Sequence, residues 1–240
     1  MSRIEMGWNK TANMIARVGP RLRNGLLNGM PLISRDSRID KGIYLSGSRA
    51  RVGISVDFER SGQVQMLYNR ILDRSMENGR ISKSSLLDNV MWEVREALNY
   101  DSKHQLYSIE KTLPPDHLIQ LEFFMSFRRA DCRAMALLAG VLLERLIDQG
   151  HLRGTVSIDR NDDKKTGGHV WARYASPAGI VIIVDPAKNF LGLIDNAGAP
   201  WDYHRPGEVP LDQQQLRQAD NKPVQGWISR ARAIFSWLAR

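Results

Sequence analysis

The chain has 240 residues, 42% apolar and 25% charged, an ordinary globular composition with enough length to bury a real core. Its apolar runs are short and interrupted, so no transmembrane span is expected, and a single cysteine excludes an intrachain disulfide framework or a cysteine-built metal cage. Lys and Arg outnumber Asp and Glu by 34 to 26, but the basic residues are dispersed and do not interleave with aromatics, so nucleic acid is not expected as the main partner; an acidic protein or a membrane surface explains the charge as easily.

Residues 1–50 read as a basic, loosely structured arm, punctuated by Gly19-Pro20, Gly25, Gly29, Pro31, Gly42 and Gly47. The opening lacks the long apolar core of a secretory signal, so no classical signal peptide is expected, and a targeting role of another kind stays open. Residues 51–240 read as a single domain with a C-terminal extension. Residues 51–57 alternate apolar with polar and suggest a short strand. Val64, Leu67, Tyr68, Ile71 and Leu72 recur at helical spacing within 63–76. A second helix is expected from Ser84 or Ser85 to Leu98, with Ser82 or Ser84 as its cap, ended by Asn99-Tyr100-Asp101. After a loop at Pro114-Pro115-Asp116, residues 118–127 read as a further helix.

The clearest period runs over 132–147, where Met135, Leu138, Val141, Leu142 and Leu146 form a wide apolar face suited to a central buried helix. Asp131 is its expected N-cap and Gly150 its stop. Residues 155–158 are strand-like, and the polar stretch 159–168 reads as a solvated, mobile loop able to gate a cleft. Residues 169–175 and 180–185 form the arms of an antiparallel hairpin joined by Pro177-Ala178-Gly179, a type I turn with a left-handed glycine. If Ser176 pairs with Ile180, Trp171 faces Asp185, and His169 lies diagonally from Asp185 on the same side of the sheet. A two-residue loop would send the two side chains to opposite faces. Beyond Pro186 the pattern loosens into loops at 196–200 and 204–207, and residues 226–240 read as a short terminal helix.

Three residues in this order carry chemistry: Cys132 at a helix start, His169 opening one strand and Asp185 closing the next. The positive helix end and its unpaired N–H groups favour a thiolate, and Arg128, Arg129 and Arg133 add positive potential if they point to it. A histidine in reach completes the activation and later protonates the leaving group; a carboxylate fixes its tautomer. The Cys132 N–H is one candidate oxyanion donor, and Trp92, His104, Gln105 and Tyr107 lie where a second would be sought. Each residue alone has a plainer reading: a cysteine in an apolar helix is usually a small hydrophobe, and Gly-Gly-His and Val-Asp-Pro usually mark turns.

Taken together, residues 129–188 resemble the catalytic core of the transglutaminase-like superfamily of papain-fold cysteine enzymes. Arg128-Arg129-Ala130-Asp131-Cys132-Arg133 matches the approach to the family cysteine, His169-Val170-Trp171 its histidine and following aromatic, and Asp185-Pro186 its aspartate. Ala130 departs from the glycine often found there. The resemblance implies an α+β fold whose central helix carries the nucleophile and packs on an antiparallel sheet, with Cys132, His169 and Asp185 as the catalytic set. It implies amide hydrolysis in a protein or peptide through a thioester, as a peptidase or glutamine deamidase, and needs no metal or organic cofactor. A cross-linking acyltransferase, or an inactive interaction domain on the same scaffold, remains the alternative. Size, charge and unmatched flanks suit a bacterial enzyme, cytoplasmic or exported as an effector.

Overall fold

A computed structural model describes residues 15–16, 18–45, 53–101, 117–163, 167–196, 203–205 and 208. The elements expected over 226–240, the loop at Pro114-Pro115-Asp116 and the side chains of His104, Gln105 and Tyr107 lie outside them. The architecture is mixed α+β. In chain order, β1 (Leu26–Leu27) and β2 (Met30–Pro31) make a small hairpin. They are followed by β3 (Gly42–Leu45), β4 (Gly53–Val56), α1 (Gly62–Arg74), β5 (Met76–Glu77), β6 (Arg80–Ile81), α2 (Lys83–Ala97) and β7 (Asn99–Tyr100). Next come β8 (Leu118–Gln120), α3 (Leu121–Ser126), β9 (Arg129–Ala130) and α4 (Cys132–Asp148). The last strands are β10 (Thr155–Asp163), β11 (Gly167–Ala175), β12 (Val181–Asp185) and β13 (Phe190–Leu193).

The apolar period of α4 buries the helix on nearly every side: Ala134, Leu137, Leu138, Leu142, Leu143 and Leu146 have no exposed surface. Such a helix must be wrapped. One face of the antiparallel sheet β10-β11-β12-β13 supplies Ile158, Val170, Ala172 and Val184, and α2 contributes Leu86, Val90 and Val94 to the same core. Gly140 lets α4 approach closely, because a Cβ there would stand 2.7 Å from Ile158 and 2.8 Å from Ile39. Asp131 caps the helix by accepting from the N–H groups of Arg133 and Ala134. Gly150, at φ 75°, follows its end in the left-handed conformation.

The hairpin turn takes the three-residue form. Ser176 N–H donates to the Ile180 carbonyl at 2.9 Å, and Gly179 sits at φ 79°. Ala172 pairs with Val184 and Ala175 with Val181, a register that puts Trp171, His169 and Asp185 on one side of the sheet, the side that Ala172 and Val184 do not share. That face carries a second cluster of Trp171, Ile183, Ile194 and Tyr203.

Four expectations are corrected. Residues 159–163 are not a solvated loop but the second half of β10, laddered to β11, with Asp159 and Asn161 fully buried and Arg160 and Asp162 nearly so. Asp159 there is held by a partner distant in sequence, Arg205. Residues 118–120 form a strand because they pair in parallel with β4, and the helix begins only at Leu121. Residues 18–45 are not all a loose arm: β3 pairs with β4, and Ile33, Ile39, Ile43 and Tyr44 are fully buried. The loosened pattern after Pro186 contains β13, an edge strand pairing with β12.

Candidate functional site

Asp185 closes β12 and caps the 3-10 turn Pro186–Lys188 that follows. Its two oxygens have different partners. Oδ1 accepts from the Lys188 N–H at 3.2 Å, while Oδ2 lies 2.5 Å from Nε2 of His169 and accepts from the Tyr203 hydroxyl at 2.8 Å. The turn is pinned from α2 by Arg95, whose Nη1 donates to the Pro186 carbonyl at 3.1 Å, and α4 packs against it as well. Asp185 has no exposed surface and His169 almost none.

The β11–β12 ladder ends at Ala172–Val184, so His169 stands beyond the last β12 pair and is held by β10 through Asn161. Cys132, the first residue of α4, is partly exposed and close enough to the same imidazole to raise its pKa. Burial is the largest single influence on His169 and opposes its charge, but the hydrogen bonds and negative charge of Asp185 and Cys132 outweigh it and push the pKa up to about 9. Of the three residues singled out in the sequence, His169 and Asp185 are in direct contact, and Cys132 acts on the same imidazole. Asp131 takes the N–H groups of Arg133 and Ala134 and not that of Cys132, so the first-turn donor beside the sulfur is outside the capping interaction.

The expected electrostatic help from nearby arginines takes another form. Arg133 is buried and its Nε is bound by Asp131. Arg128 donates to the Glu96 carbonyl at 3.0 Å. Trp92, one of the residues weighed as an oxyanion donor, is 53% exposed on α2 with the Arg74 guanidinium 5.9 Å from its ring centre.

Two tyrosines at the site escaped the sequence reading. Tyr100 lies on β7, which runs parallel to β9 immediately before Cys132. Burial, then the negative charges of Cys132, Asp131, Asp185 and Asp101, raise its pKa to about 12. The Lys188 ammonium stands 5.6 Å from its ring centre. Its sequence signal is confined to Asn99-Tyr100-Asp101 at the end of a helix. Tyr203 is buried among Trp171 and Phe190, with ring centres 4.7 and 5.6 Å away, and sits in a stretch whose local pattern reads only as loop. Burial, and then Asp185, raise its pKa above the ordinary phenol value.

Among the described residues no group of three or more His, Cys, Asp or Glu could hold a metal ion, and no helix is long and apolar enough to cross a membrane. The arginines form pairs with carboxylates at separate places, Arg38 with Asp148, Arg70 and Arg74 with Glu93, Arg145 with Glu59, and Arg205 with Asp159. No family model, no curated protein and no solved structure matches the chain.

Proposed function

We propose that this protein is a cysteine-dependent hydrolase of an amide bond in a protein or peptide, with Cys132 as nucleophile, His169 as general acid and base, and Asp185 as the carboxylate that orients it. The observation that carries this reading is the buried imidazole with Nε2 on Asp185 at 2.5 Å and Cys132, at the start of α4, near enough to raise its pKa. An inactive interaction domain would be expected to part the thiol from the imidazole, and the influence of Cys132 on the His169 pKa speaks against it.

In this scheme the Cys132 sulfur adds to the carbonyl carbon and the oxyanion forms beside the Cys132 N–H. The C–N bond breaks, the nitrogen leaves with the proton held by His169, and a thioester remains. Water then adds to the thioester while His169 takes its proton; the C–S bond breaks to release the acid and restore the thiol. The resemblance of residues 129–188 to the transglutaminase-like core points to the same chemistry and to a papain-like arrangement of helix and sheet. An acceptor amine in place of water would make the same site a transferase.

The test is a comparison of the purified protein with Cys132→Ala on a complex protein mixture. New peptide termini, or one-dalton gains at glutamine, should appear with the parent chain only. Identical product profiles for the two proteins contradict the proposal.

A further inference from the structure

The segment carrying Tyr203 touches the sheet at four buried polar groups, Asp185, Asp159, Ser157 and Arg173. Tyr203 donates to Asp185 at 2.8 Å. Two residues on, Arg205 grips Asp159 through Nε and Nη2, each at 2.7 Å, and donates from Nη2 to Ser157 at 2.8 Å. Its Nη1 reaches Asp36 at 2.9 Å. Glu208 accepts from both Nη atoms of Arg173 and, at 2.9 Å, from the Arg205 N–H. Asp159 has no exposed surface and Arg173 is 6% exposed. Buried ion pairs add little net stability over apolar packing, but they fix position, because shifting the segment would strand charges in the interior.

We propose that Tyr203 is a positioning residue for the Asp185–His169 pair, seated by the ion pairs of Arg205 with Asp159 and Glu208 with Arg173. The inference rests on the reading of Cys132, His169 and Asp185 as a reactive set. The phenol and the imidazole share one carboxylate oxygen. Whatever charge Oδ2 gives to the phenol it withholds from the imidazolium, and the hydroxyl also fixes which oxygen faces His169. The groups facing the pair are Cys132 from α4, Tyr100 from β7 and Tyr203 itself, with the Lys188 N–H on the other carboxylate oxygen and Arg95 on the Pro186 carbonyl.

The test follows the His169 ring by NMR across a pH titration in the full chain and in Tyr203→Phe, which keeps the ring packed against Trp171 and Phe190. Losing the shared donor should raise the His169 midpoint by about half a unit or more. Arg205→Lys keeps a cation for Asp159 but loses the two-point grip, and should raise the midpoint in the same direction by less. A midpoint that stays or falls in Tyr203→Phe overturns the role of the tyrosine, since a purely structural residue would lower the unfolding midpoint without moving this titration. A rise in Tyr203→Phe with none in Arg205→Lys overturns the role of the ion pairs. If Tyr203→Phe does not fold, the Arg205→Lys titration decides, with an unmoved midpoint counting against the inference. The ring titration needs no activity, so an unreactive Cys132 alongside a shifted His169 would sink the functional reading and leave this one standing.

Discussion

Ser176 and Ile180 close the β11–β12 hairpin with a 2.9 Å hydrogen bond, and that one pairing decides which face His169 and Asp185 share. A slip of one residue would turn the side chains of one strand over relative to the other. Gly179 makes the turn at φ 79°, where a β-branched residue is strained. Gly179→Val should therefore lower unfolding free energy by about 1–2 kcal/mol in urea titrations. An unchanged unfolding midpoint would mean that the turn tolerates another backbone and does not fix the register.

Asp185 supplies charge to an imidazole that burial alone would keep neutral. In Asp185→Asn the carbonyl can still accept a hydrogen bond but carries no charge, so the His169 midpoint should fall from about 9 by about a unit or more. Ring NMR across the pH range measures it. A midpoint that stays near 9 would assign the shift to Cys132 alone.

The same pKa shift links stability to pH. His169 in the folded chain holds its proton more tightly than at its ordinary value of 6.5. Its contribution to stability is fully present below 6.5 and is lost as the pH rises through about 9. The stability gap between the parent chain and His169→Gln should thus be widest at acid pH and narrow steadily up to about pH 9. Urea unfolding of both proteins at several pH values gives the gap; a constant difference contradicts the linkage.

What the sequence made legible follows a physical rule. The 3.6-residue apolar period of α4, its Asp131 cap and the odd-length turn at Gly179 are local signals, and each forms where it was expected. Elements whose partners lie far along the chain were not legible. Leu118–Gln120 is a strand only because β4 offers an edge more than sixty residues earlier. The polar run 159–163 reads as loop until Arg205 and the β11 ladder are in place to hold it. Tyr203 is an aromatic in a turn-rich stretch, and nothing within its own neighbourhood in sequence announces Asp185 as its partner.

The central claim is that His169 activates Cys132. Because the chain has one cysteine, iodoacetamide can label only that sulfur, and its rate at neutral pH is a direct reading of the pair. His169→Ala should slow labelling by about tenfold or more while the folded chain remains intact by circular dichroism. Equal labelling rates for the parent chain and His169→Ala would contradict it.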